Sequence, residues 1–303
     1  MMLKGIARGR SDPGADNGVR TLTPADIDLL AIRNHPRLEE GDAEALIIQA
    51  PGLSKWHPAS REFLIVTPWR HRAEIPAVNV MSTFHHEDAL MAAAIASAEK
   101  HGAAAFVLLE TYETRQPSFY ARNGMQRLET IVTYELTQPR TFLRQITQRR
   151  QQFVKLDRQT AELGQAVLNL DHVAFPWLWW NSAEEFSNYL SMPNIEVWAG
   201  ILDGELISYV GFTHFWRWSH LDRIAIRPDA QRQGFGREAL HFAVERMLER
   251  GATRVGLSTQ GENTASRNLY ESIGFRKTPG HDYDVHGVVF EPGRKYLEQG
   301  GQG

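Results

Sequence analysis

Gly234 and Gly236 stand one residue apart in the run Gln231-Arg232-Gln233-Gly234-Phe235-Gly236, where a helical pattern begins. That arrangement makes an anion cradle. The first amides of a helix have no intrahelical acceptor and lie at the positive end of its dipole, so a loop without bulky side chains lets a pyrophosphate approach them. Glycine removes the Cβ that would stand in the way. The helix that must carry the cradle is well specified: Leu240, Ala243, Val244, Met247 and Leu248 recur at helical spacing, Arg250 falls in the last turn, and Gly251 follows as a stop. Ahead of the turn, Ile224-Ala225-Ile226 reads as a strand.

Two chemistries use such a turn. Gly234-Phe235-Gly236-Arg237-Glu238-Ala239 also fits the dinucleotide pattern that ends in alanine, which would make the chain a nicotinamide-dependent oxidoreductase. The flanks weigh against it. In a dinucleotide-binding unit the glycine follows its strand almost at once and the neighbouring strands are parallel, whereas residues 227–233 intervene here. Residues 195–202 and 206–212 flank Asp203-Gly204, a strong hairpin signal, so the preceding strands are antiparallel.

A second block lies further on: Asn263-Thr264-Ala265-Ser266-Arg267-Asn268-Leu269-Tyr270-Glu271-Ser272-Ile273-Gly274-Phe275. Gln231, Gly234 and Gly236 meet one loop motif of the GNAT superfamily of acyl-CoA-dependent N-acyltransferases. The second block, with its Asn, Leu-Tyr pair and Gly-Phe, is similar to another, with a strand-like stretch at 254–259 between them. Residues 195–291 therefore resemble the core of that superfamily. The resemblance implies a mixed α/β fold, a mostly antiparallel sheet flanked by helices, and acetyl-CoA as co-substrate without a metal. It implies that Tyr270 protonates the departing thiolate, since a phenol of pKa about 10 is protonated at neutral pH; the alternative is a ring that only packs. The amides of Arg232, Gln233, Gly234, Phe235, Gly236 and Arg237 would hold the pyrophosphate, with charge from the two arginines. The peptide groups of Ile224, Ala225 and Ile226 would face pantetheine and the thioester. Asn263 is first an N-cap and second a cofactor contact.

The base is harder to place. By period two, His220, Asp222, Ile224 and Ile226 share one strand face, which puts the first pair near the acyl end. His220 titrates in the useful range and Asp222 would orient it or act instead; either also reads as a surface or hairpin residue. The acceptor segment, 171–190, is rich in aromatics, and Phe175, Trp177 and Trp180 are its candidate wall residues, with core packing as the other account. Ser182 should cap a short helix there.

The first half carries a faded copy. Tyr120, Gly124 and Met125 repeat Tyr270, Gly274 and Phe275 at an offset of 150, and residues 19–34 resemble the family's opening strand and capped first helix, with Pro24 early in it. Where the cradle belongs, the chain reads Met81-Ser82-Thr83-Phe84-His85-His86, without glycine, so this copy should not hold pyrophosphate in the usual way. His85 and His86 are read as solvated or capping rather than metal ligands. The expected layout is a tail at 1–18, a degenerate GNAT-like domain at 19–139, a catalytic one at 140–292 and a tail at 293–303. Two modules suit the 303 residues.

A net charge of −3 offers no nucleic-acid surface, and Arg140, Arg144, Arg149, Arg150 and Arg158 read as a solvated linker helix. With no cysteine there is no disulfide and no cysteine acyl-enzyme, so direct transfer in a ternary complex is expected. No apolar run spans a bilayer and no signal peptide is read, which gives a cytoplasmic protein without a membrane partner. The acceptor is a small-molecule or peptide amine of unspecified identity, and oligomeric state stays open. A non-catalytic acyl-CoA sensor or scaffold is the alternative function.

Overall fold

The computed structural model describes residues 18–30, 38, 42–109, 115–143, 149–157 and 160–299. The chain forms two compact units, one of Met1–Thr67 with Val78–Lys100 and one of Pro68–Ala77 with His101–Gly303. This partition differs from a division at 139/140, for a reason visible in the pairing of strands.

In the first unit, β1 (Arg20–Thr21) pairs antiparallel with β2 (Lys55–His57), and β2 with β3 (Glu62–Trp69); β4 is Arg72–Ser82. The expected capped first helix is a 3-10 segment, Pro24–Leu29, in which the Asp26 carboxylate accepts the Thr23 N–H at 2.9 Å and its hydroxyl at 2.6 Å. Leu22, Trp56, Phe63, Ile65 and Val80 pack against Ala43 and Ile47 of α1 (Asp42–Ile47). Helix α2 (Glu87–Lys100) follows β4.

The second unit holds β5 (Ala105–Leu109), α3 (Pro117–Arg122), β6 (Gln126–Leu136), α4 (Pro139–Leu143), β7 (Gln152–Lys155), α5 (Ala161–Ala174) and α6 (Ala183–Ser191). Then come β8 (Ile195–Leu202), β9 (Glu205–Phe215), β10 (Trp218–Ile226), α7 (Phe235–Glu249), β11 (Arg254–Gln260), α8 (Thr264–Ser272), β12 (Arg276–Lys277), β13 (Tyr283–Val289) and α9 (Glu291–Gln299). Its strands run in the order β5-β13-β6-β11-β10-β9-β8-β7, with β12 beside β6. Among the registers of this unit, β10 and β11 are parallel and the others antiparallel. The β8–β9 hairpin turns through Asp203 (φ 52°) and Gly204 (φ 84°), as the Asp-Gly pair predicts.

Strand β6 changes neighbours along its length. Residues 126–131 pair with β13, while 131–136 pair with β11 on one edge and take β12 on the other. Strand β13 in turn sits between β5 and β6. The two halves of the sequence thus interleave strands, and no packing boundary forms at 139/140. One face of this sheet buries Val210, Phe212, Leu221, Leu257 and Tyr134 against Leu240, Val244 and Met247 of α7. Each of those α7 side chains is 0% exposed, and burial of that kind contributes about 1.5–3 kcal/mol apiece. On the other face, Val197, Ala199, Tyr209 and Ala225 pack under Val167, Leu170 and Phe186 of α5 and α6.

The tail expected at 293–303 is helical through residue 299. Tyr296 of α9 stacks on Trp177 with ring centroids 4.7 Å apart, and Gly293 passes so close to Ala104 that a Cβ would meet its carbonyl oxygen at 2.2 Å. Residues 300–303 and 1–17 lie outside the described residues, as do Arg144 and Arg158.

Candidate active site

The parallel ladder between β10 and β11 ends at Leu221–Leu257. Beyond it β10 continues to Ile226 paired with β9 alone, while β11 continues paired with β6. The peptide groups of Ile224, Ala225 and Ile226 on the edge toward β11 therefore leave the ladder, and that wedge is where a pantetheine amide could pair. The Gln231 side chain donates to the Ile226 carbonyl at 3.3 Å, tying the loop to the end of the wedge.

The loop turns on two left-handed residues, Arg232 (φ 59°) and Gly234 (φ 90°), the second being the N-cap of α7. The first backbone bond of that helix runs from Glu238 N–H to the Gly234 carbonyl at 3.1 Å, so the amides of Phe235 and Gly236 precede the intrahelical ladder. At Gly236 an added Cβ would touch Leu269 at 3.4 Å and Ile226 at 3.6 Å, which identifies this glycine as the point where α7 approaches α8 and β10. Arg232 and Gln233 are exposed, and Arg237 donates to the Ser272 hydroxyl at 3.3 Å. Loop, dipole and wedge together have the form an acyl-CoA needs.

Arg150, expected in a solvated linker helix, instead braces the cradle. Its guanidinium lies 4.1 Å from the Phe235 ring centre, donates to the Gln233 carbonyl at 2.9 Å and pairs with buried Glu238 at 3.3 Å. Arg149 pairs with Glu245 at 2.6 Å and lies over Phe242 at 5.2 Å. These two arginines are packed against α7 and are not part of a solvated helix.

His220 and Asp222 meet as the sequence expects, but not on the face shared with Ile224 and Ile226. A register shift between Leu221 and Arg223 makes Asp222 a β-bulge, and the extra residue reverses the alternation. Ile224 and Ile226 consequently pack with the α7 core, while Asp222 bonds to Tyr189 of α6, next to the α5–α6 layer. Asp222 Oδ1 lies 2.7 Å from His220 Nδ1, and Oδ2 accepts the Tyr189 phenol at 2.5 Å and the Thr213 hydroxyl at 2.6 Å. An ionised carboxylate only accepts, so in this contact the ring nitrogen is the donor. Trp218 flanks His220 with centroids 5.7 Å apart. Gly256 makes room for that indole, since a Cβ there would meet it at 2.8 Å.

Tyr270 is 4% exposed in the core beneath α8. Burial pushes its phenol up to about 12, which keeps it protonated at neutral pH. The Asn263 side chain accepts the Ser266 N–H at 3.0 Å, the capping role read from sequence, and Ser182 caps α6 through Glu185 N–H at 2.9 Å.

In the aromatic segment Trp177 is buried and Phe175, Trp179 and Trp180 are half-buried. Trp177 is 6% exposed between Tyr296 and the Arg72 guanidinium, and Trp180 stacks on His172 at 4.9 Å while donating to the Phe175 carbonyl at 2.8 Å. Phe175 lies 4.4 Å under the Arg223 guanidinium, which donates to the Trp179 carbonyl at 2.6 Å and pairs with fully buried Asp171 at 3.4 Å. A buried ion pair needs such apolar and hydrogen-bonded surroundings, and Phe175 supplies part of them for Arg223 and Asp171, while Trp177 and Trp180 lie against Arg72.

In the first unit, the segment corresponding to the cradle carries its own anion. Glu62 Oε2 accepts the N–H groups of Phe84, His85 and His86 at 2.8, 3.0 and 2.8 Å, just ahead of α2, and Oε1 lies 2.8 Å from His86 Nδ1. Burial alone would raise this carboxyl, but the His86 ring and the backbone donors hold it far below the usual carboxylate range. His86 stacks on His57 at 3.7 Å. The His85-His86 pair is thus part of an anion nest filled from within. Tyr120 is buried and stacks on His286 at 3.7 Å.

Residues 165–275 match the family model described as the Acetyltransferase (GNAT) family. A stretch of 57 residues is 40% identical to the [Ribosomal protein bS18]-alanine N-acetyltransferase of Escherichia coli (strain K12), covering 19% of this chain and 38% of that protein's length. In fold, the chain is similar to a probable N-acyltransferase from Enterococcus faecalis V583 (TM-score 0.63, 9% identity, 90% of this chain and 73% of that one). It is also similar to a tandem GNAT protein from the clavulanic acid biosynthesis pathway (TM-score 0.54, 14% identity, 89% and 97%). No helix among the described residues is long and apolar enough to cross a membrane. The wedge and the glycine turn both fall within the stretch at 165–275 that matches the GNAT family model, and the fold of the chain is similar to that of a tandem GNAT protein.

Proposed function

We propose that this protein is an N-acetyltransferase that moves the acetyl group of acetyl-CoA to a primary amine of a small molecule or peptide by direct attack in a ternary complex. The observation that carries the reading is the coincidence of the β10–β11 wedge with the amide-lined turn at 231–237. In it, the pyrophosphate of the co-substrate meets the amides of 232–237, and pantetheine pairs along 224–226. His220 Nε2 takes a proton from the attacking amine, whose nitrogen bonds to the acetyl carbon to give a tetrahedral oxyanion, and the carbon–sulfur bond breaks as that oxyanion collapses. Tyr270 returns a proton to the departing thiolate, and the peptide groups at the wedge stabilise the oxyanion between those events. Asn263 stays a cap beside this site. The catalytic chemistry belongs to the domain proposed at 140–292, which draws β6 from the degenerate domain proposed at 19–139.

The reading is tested with a panel of primary amines, from polyamines to peptides with unblocked N-termini, incubated with acetyl-CoA and followed by mass spectrometry. Acetylation by the wild type, with a 10²–10⁴-fold loss in His220→Gln, is the expected result. Tight binding of acetyl-CoA with no acetylated amine would instead favour a sensor.

A further inference from the structure

The Asp222 carboxylate divides its two oxygens between different partners. Oδ2 takes two donors, the Tyr189 phenol and the Thr213 hydroxyl, and Oδ1 is left for the His220 ring. We propose that Tyr189 and Thr213 are positioning residues for acyl transfer. They hold the bulged carboxylate in the one orientation that keeps the neutral His220 proton on Nδ1 and leaves Nε2 to accept a proton from the amine.

Three observations support this. A β-bulge frees Asp222 from the regular alternation, so its side chain has to be fixed by something other than the ladder. Tyr189 reaches it only because residue 211 has no side chain: a Cβ on Gly211 would lie 2.9 Å from the phenol oxygen and 3.1 Å from Cε1. Burial, and then the neighbouring Asp222 charge, raise the Tyr189 phenol well above its ordinary value, so it remains a donor throughout the working pH range. Such a network fixes an imidazole tautomer as carboxylate partners do in other acid–base sites.

Among the described residues, three other charged or titratable groups on β9, β10 and β11 have partners of their own. Arg223 on β10 turns to Asp171 and Asn181, Arg254 on β11 pairs with Glu135 on β6 at 2.5 Å, and His214 on β9 faces Ser219 and Glu196. Asp222 is thus the charge that His220 meets directly.

The proposal rests on His220 being the base, and its test separates the two ideas. Nitrogen-15 spectra of histidine-labelled protein report the His220 tautomer without any substrate. The wild type should show the Nδ1–H form. Tyr189→Phe and Gly211→Ala should each give a mixture of tautomers and lower kcat about tenfold on the fastest amine of the panel, with acetyl-CoA affinity unchanged within twofold. Because Gly211→Ala acts by displacing the phenol, it should add little in the Tyr189→Phe background. Thr213→Ser, which keeps the hydroxyl, should behave as wild type, and Thr213→Val should not. A wild-type tautomer and rate in Tyr189→Phe would overturn the proposal. A changed tautomer with an unchanged rate would uphold the network and remove His220 from the base role.

Discussion

Replacing Glu62 by alanine should expose how the first unit fills its own anion nest. The substitution removes the acceptor of three backbone N–H groups and of the His86 ring, in a side chain that is 1% exposed. Hydrogen bonds to a charged group contribute about 1.5–3 kcal/mol when removed singly, but bonds within one network do not add. The expected loss is about 2–3 kcal/mol, the upper part of the range for hydrogen bonds to one charged group. Hydrogen exchange at the amides of Phe84, His85 and His86 should then accelerate by about 10² or more, while α7 amides keep their protection. Glu62→Gln keeps an acceptor oxygen without the charge and should lie between. The sign with pH follows from the direction of the shift. The carboxyl is depressed in the folded state, so its stabilisation is complete above the unfolded value of about 4.3 and is lost as pH falls toward the folded value. The part of the stability difference between wild type and Glu62→Gln that comes from this carboxyl should therefore shrink below about pH 4. Equal exchange rates at 84–86 in wild type and Glu62→Ala would refute the reasoning.

Three further outcomes follow from the same contacts. A fragment of residues 140–303 lacks β6, the strand that β11, β12 and β13 all pair with, and should fail to give a folded, acetyl-CoA-binding species by circular dichroism and gel filtration; a folded fragment of native affinity would contradict the interleaving. Gly236→Ala meets Leu269 and Ile226 only at contact distance and should keep most affinity, whereas Gly236→Leu should lower acetyl-CoA affinity at least tenfold by calorimetry. Tyr270→Phe should lower kcat 10²–10⁴-fold with acetyl-CoA binding unchanged, and the wild-type profile should show no alkaline limb from this group below about pH 11 because its phenol is raised to about 12.

What the residues disclosed in advance was local. The start of α7 at the glycine turn, the Asp203-Gly204 hairpin and the Asn263 and Ser182 caps each depend on residues within a few positions, and each forms as expected. What stayed hidden depends on distant partners. The bulge at Asp222 has no residue signature, yet it separates His220 from Ile224 and Ile226, which strict alternation had put together. Glu62 lies 22 residues from Phe84, so a loop without glycine gave no hint that a carboxylate already occupied it. Arg150 meets Glu238 across 88 residues, and in one dimension it was indistinguishable from the other basic side chains around it. The aromatics at 175–180 read equally as pocket wall or core, and the partners that Phe175 and Trp177 meet, Arg223 and Arg72, lie 48 and 105 residues away in the chain.

The central claim is that unpaired amides at the start of α7, and not those ahead of α2, bind a diphosphate. Titrating labelled protein with acetyl-CoA while following amide resonances tests it residue by residue. The account predicts saturation at one equivalent, with large shifts at Gly234, Phe235 and Gly236 and none at Phe84, His85 and His86. Resonances at 234–236 that stay in place at saturating acetyl-CoA would contradict it.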